Sequence, residues 1–132
     1  MRKYYNIHEA EDMIPLLKPK VINLIRLNNA IDFLDSVEIK YDSEFETIKQ
    51  DLLMDKKFHD YSFRLCKELE KLLKIGVVVR DIEQGVVNFF SLHKGQEIFL
   101  CWKLGEYKID SWHGINDSYD MRKSVSELKK KI

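Results

Sequence analysis

The hydrophobic period of this chain changes once, at Gly76, and that change divides the sequence. Before Gly76, apolar residues recur every three or four positions, which lines one face of a helix. After it they alternate, which gives a strand one apolar face. A chain written this way has to lay a helical layer against a sheet. At 132 residues it has the length of a single domain.

The helical part opens on Asn6-Ile7-His8-Glu9, a capping box in which Asn6 accepts from an orphan backbone N–H and Glu9 reaches back. Tyr5 can pack near Ala10 as a staple. Ala10, Ile14, Leu17, Val21, Leu24, Ile31 and Leu34 continue the stripe. Pro15 and Pro19 each remove a backbone donor, which predicts a kink or a broken first turn. The clean helix then runs from about Pro19 to Leu34. A second box, Ser43-Glu44-Phe45-Glu46, starts a second helix that ends before Gly76, a residue suited to the left-handed cap position. Its apolar positions are Phe45, Ile48, Leu52, Phe58, Tyr61, Leu65, Leu69 and Leu72, with a phase slip near Asp55-Lys56-Lys57. Residues 1–75 therefore form an antiparallel helical hairpin.

Residues 76–113 predict a four-stranded antiparallel meander: Val77–Ile82, Val86–Leu92, Glu97–Leu104 and Tyr107–Trp112, joined by glycine-containing turns. Short turns set Ile82 opposite Val86, His93 opposite Gln96 and Leu104 opposite Tyr107. Residues 114–132 form a tail with a short helix from Ser124 to Lys131. The expected class is α+β, with the hairpin packed on one sheet face. That face collects Val77, Val79, Val87, Phe89, Ile98, Leu100, Trp102, Leu104, Tyr107 and Ile109.

The opposite face carries the chemistry. One row reads Arg80, Asn88, Cys101, Asp110, and the next reads Val78, Phe90, Phe99, Trp112. Arg80, Asn88 and Cys101 could bind a small molecule between walls formed by Phe99 and Trp112. The plainer reading is a cross-strand ladder covered by the tail or by another subunit. His113 could act as a general base with Asp110 or Glu106, in a small hydrolase that is metal-assisted or shared between subunits. Glu106 falls at the opposite sheet end, roughly 20 Å away, so within one chain His93 and His113 are the weak metal candidates. Asp55 and His59, four apart on a helix, offer half a metal site with no third ligand. No cofactor is expected.

Charge and length bound the partners. Lys plus Arg and Asp plus Glu both count 22, and zero net charge argues against nucleic acid. One acidic run, Asp32 to Glu46, reads either as a docking site for a basic partner or as a solvated loop beside a helix N-terminus. No membrane-length apolar run exists, the start lacks a signal peptide's apolar core, and Cys66 and Cys101 are isolated thiols. A cytoplasmic location is expected. A helix from Ser43 to Ile75 spans roughly 50 Å, against about 20 Å for the strands. The hairpin must overhang the sheet, and self-association is the simplest cover for its leucines and phenylalanines.

The run Cys101-Trp102-Lys103-Leu104-Gly105-Glu106, followed by Trp112-His113, resembles a prokaryotic family of conserved domains of unknown function, number 2203. Ala10 with Ile14-Pro15, Gly76-Val77, Arg80-Asp81, Gly85-Val86-Val87 and Phe89 match its other motifs. Asn88 stands where the family carries an acid, and the glycines of the family's tail are absent. The resemblance implies no reaction. It directs attention to Asp81, Cys101, Trp102, Glu106, Trp112, His113 and Arg122.

Overall fold

A computed structural model describes residues 2–37 and 42–129. Glu38 and Lys40 of the acidic run, and Lys130 and Lys131 of the expected last helix, lie outside the described residues. The order is α1 (Ile7–Ser36), α2 (Glu44–Lys74), β1 (Val77–Asp81), β2 (Val86–His93), β3 (Gln96–Lys103), β4 (Ser111–Gly114), a 3₁₀ turn (Tyr119–Met121), β5 (Lys123–Ser124) and α3 (Ser126–Lys129). The hairpin on an antiparallel sheet is as the periodicity predicts, with five strands in order β1-β2-β3-β4-β5 instead of four.

Helix α1 carries the full capping box, Asn6 Oδ1 accepting from Glu9 N at 2.7 Å and Glu9 Oε1 from Asn6 N at 3.0 Å. It runs unbroken through Pro15 and Pro19, contrary to the expected break. Both prolines lie on the exposed side, where water can serve the carbonyls of Glu11 and Pro15 that they leave unpaired. Ala10, Ile14, Leu17, Val21 and Leu24 are buried without interruption on the other side.

Helix α2 is also continuous for 31 residues, and the phase slip has a geometric meaning. Phe58, Tyr61, Leu65, Leu69 and Leu72 are partly or fully buried, whereas Phe45, Ile48 and Leu52 are exposed. At 100° per residue the second set points about 130° away from the first. The slip marks the place where the apolar stripe changes sides.

Gly76 joins helix to sheet with φ +83°. The N-terminal arm closes over this joint: Tyr5 donates its hydroxyl to Ile75 O at 2.6 Å and its N–H to Phe90 O at 2.8 Å, and its ring meets Phe89 edge-on at 5.2 Å.

The turns decide which face each strand presents. His93 lies opposite Gln96 as expected, across a tight turn with both central residues, Lys94 and Gly95, at positive φ. Asp81, not Ile82, lies opposite Val86, because an irregularity between Val79 and Asp81 shifts the register. Upstream of it Val77 meets Phe89, two residues from the expected pairing, so the faces are preserved.

The last turn is different. Leu104 and Tyr107 do not pair; β4 starts only at Ser111 and sets Leu100 opposite Trp112. This one-residue slip exchanges the faces of β4. Trp112 packs against the helix-side core, while Tyr107 is exposed and Ile109 is buried outside the strands. Two bonds explain the longer connection. Trp102 Nε1 donates to Glu106 O at 2.9 Å, and Ile109 N donates to Glu11 Oε2 on α1 at 3.1 Å, drawing the loop out of the sheet.

Candidate functional site

The sheet face away from the helices holds Asn88, Phe90, Phe99, Cys101 and His113, all buried. Cross-strand pairs place Val78, Asn88, Cys101 and Ser111 in one row and Phe90, Phe99 and His113 in the next. Ser111 takes the place expected of Asp110, and His113 that of Trp112. Arg80 is exposed at the irregular end of β1. The ligand candidates Asn88, Cys101 and Phe99 thus share this face, and Trp112 lies on the other.

The aromatic row is a packed layer. Phe90 and Phe99 stack tilted at 4.8 Å, and Phe99 meets the His113 ring edge-on at 5.6 Å. The Arg2 guanidinium sits 4.2 Å from the Phe90 centroid and pairs with Glu97.

Burial pushes the Cys101 thiol up to about 12, against the lowering from its hydrogen bond with Ser111 and from the charges of Arg122 and Arg80. A thiol so placed is not a nucleophile near neutral pH. His113 Nδ1 lies 2.8 Å from Gly114 O, so this nitrogen carries the proton and donates. Its Nε2 is buried and has no hydrogen-bond partner among the described residues. Asp110 is exposed, and its carbonyl accepts from Val125 N at 3.0 Å. Glu106 turns its carboxylate onto Lys103 N at 2.8 Å. The His113 ring and the Glu106 carboxylate therefore serve separate local bonds, and Asp110 bonds through its backbone.

His93 contacts Trp112 at 5.9 Å on the helix side, and His113 contacts Phe99 on the other. Asp55 and His59 form an exposed pair at 3.7 Å. Among the described residues no group of three or more His, Cys, Asp or Glu side chains is placed to hold a metal ion.

The Asn88 amide is the unusual group. It is wholly buried, and among the described residues neither its Oδ1 nor its Nδ2 has a partner. An unsatisfied buried amide costs about 1–3 kcal/mol, and an apolar side chain of the same shape removes that cost. Asn88→Leu is therefore expected to raise stability by about 1 kcal/mol or more, read as a higher urea midpoint. A lower midpoint would mean that the amide is hydrogen-bonded on this face after all.

The family-like motif forms a self-locking turn. Trp102 bonds the Glu106 carbonyl, the Glu106 carboxylate bonds Lys103 N, and Gly105 between them has φ +105°. Asp81 does the same at the first turn, accepting from Gln84 N at 3.1 Å.

A second surface was expected from the sequence only as an overhang of the hairpin covered by self-association, with no residues assigned to a site. Phe45, Ile48, Leu52 and Leu53 on the outer side of α2, with Lys49 and Lys56, line a shallow depression of about 420 Å³. The signal was present as the phase slip, since a stripe that changes sides leaves half of itself uncovered.

Fold and site together define an α+β domain: a helical hairpin on an antiparallel sheet, with its conserved-looking motif residues committed to turns and packing. A family model described as "Uncharacterized conserved protein (DUF2203)" matches residues 3–125, and the chain belongs to that family. Neither a curated protein nor a solved structure matches it. No helix among the described residues is long and apolar enough to cross a membrane.

Proposed function

We propose that this domain is an interaction module whose working surface is the outer side of α2, with the sheet and the inner hairpin serving as its scaffold. One observation carries the reading: α2 is apolar on two sides, and only one of them is buried in the core. Leu65, Leu69 and Leu72 pack inward, while Phe45, Ile48, Leu52, Leu53 and Phe63 are between 47% and 74% exposed. An apolar stripe of this extent on a helix is the mark of a docking surface. The free thiols Cys66 and Cys101 suit a reducing compartment and support a cytoplasmic setting.

The double variant Ile48→Glu/Leu52→Glu tests the reading. Exposed substitutions away from the core change stability by about 0.5 kcal/mol or less each. Urea unfolding should therefore match the wild type at protein concentrations where the midpoint no longer depends on concentration. A loss above about 3 kcal/mol, the scale of a core truncation, would show that the stripe belongs to the fold and is not a docking surface.

A further inference from the structure

The occupant of this surface can be argued from its own symmetry, and the argument rests on the docking reading above. We infer that the outer stripe of α2 binds the same stripe of a second copy, with the two α2 helices antiparallel about a two-fold axis near residue 54.

Three features point this way. The first is spacing. Phe45 and Phe63 are 18 residues apart, which is five turns, or about 27 Å. They lie on one line along the helix, with Leu52 close to that line between them, and Phe63 also borders a groove with Asn23 and Leu27 of α1. Running the helix against itself sets Phe45 of each copy on Phe63 of the other, and Leu52 on the aliphatic stem of Lys56.

The second is charge. Lys49 and Asp60 stand about three turns apart on the same flank of the stripe. In an antiparallel pair, like flanks meet, so each Lys49 lies opposite an Asp60 and the two-fold makes this contact twice. On the other flank Asp55 approaches its own copy, and His59 at 3.7 Å already pairs with it. The chain's 22 cations and 22 anions leave no net repulsion between copies.

The third is area. Five large side chains about 60% exposed present roughly 600 Å² of surface per copy, at ~200 Å² for each fully exposed side chain. Two copies bury at most about 1,200 Å², which only reaches the lower edge of a specific stable interface.

Cross-linking tests the register. In a Cys66→Ser background, Lys49→Cys and Asp60→Cys are prepared separately, mixed, and treated with a short bismaleimide. Within each variant alone the two engineered thiols are held roughly 16 Å apart along the axis. The mixture should give a covalent dimer and each variant alone should give little. The mixed dimer keeps one native Lys49–Asp60 contact, so the variants do not remove the interface they report on. Efficient dimers from each variant alone would mean parallel helices, and none from the mixture would mean another surface; either result overturns the inference. A wild type at the monomer mass of 15.8 kDa throughout also overturns it. If Ile48→Glu/Leu52→Glu is then neutral to folding, the docking reading survives with a different partner; if that variant unfolds, the docking reading has failed too.

Discussion

Trp102→Ala should lose about 3–5 kcal/mol of unfolding free energy, as large-to-small changes at a buried Trp do. That is a large share of the 5–15 kcal/mol that holds an ordinary domain together. The side chain is almost wholly buried on the helix face of β3, within the cluster that holds Leu17, Phe89 and Leu100. Its removal opens a cavity between layers and frees the Glu106 carbonyl that the indole N–H holds at 2.9 Å. Trp102→Phe separates the two effects. It keeps most of the packing and loses the donor, for about 1–2 kcal/mol. Urea unfolding of the pair measures both. A cost below about 1 kcal/mol for the alanine variant would mean that the core closes without this ring.

Gly76→Ala should be nearly as severe. The left-handed region alone costs a residue with a Cβ about 1–2 kcal/mol. Here an added Cβ would also lie 2.5 Å from Lys3 O, a backbone atom, and 3.3 Å from the Tyr5 ring. The N-terminal arm would have to lift, which strains the bonds of Tyr5 to Ile75 O and Phe90 O. Gly95 provides the comparison: its φ is +76°, yet nothing lies within 4 Å of its Cβ position. Gly95→Ala should therefore show the conformational cost alone. Equal melting temperatures for the two variants would contradict the packed joint at Gly76.

Much of this fold is written locally. The box at Asn6, the N-cap at Ser43, the cap at Gly76 and the Lys94-Gly95 turn depend on residues a few positions apart, and each is found where its chemistry requires it. The faces of β1 to β3 were legible as well, because upstream of the irregularity at Val79–Asp81 the pairing error was two residues, which keeps each side chain on its face. The fourth strand was not legible. Its register depends on Trp102 reaching Glu106 and on Glu11 of α1 holding Ile109, the second a contact between residues 98 apart in sequence. No short turn rule contains that bond. The resulting one-residue slip exchanged Trp112 and His113 and put Ser111 in the place of Asp110, while the shift in β1 put Val78 in the place of Arg80.

The docking surface was half legible. Helix length against strand length predicts an overhang, and α2 does carry exposed apolar residues there. The expectation of one continuous stripe hid the change of sides at Asp55-Lys56-Lys57, because a list of apolar positions shows spacing and not direction. Direction follows from what the helix packs on: Phe58, Tyr61 and Leu65 are partly buried, and Phe45, Ile48 and Leu52 are exposed.

The most direct test of the account is light scattering on the intact chain and on Ile48→Glu/Leu52→Glu, from about 1 to about 100 μM, a range that covers the weak end of small interfaces. Assembly through the outer side of α2 predicts a wild-type mass rising toward twice 15.8 kDa and a variant at 15.8 kDa throughout. A wild type and a variant of equal mass at every concentration, whether monomer or dimer, would contradict it.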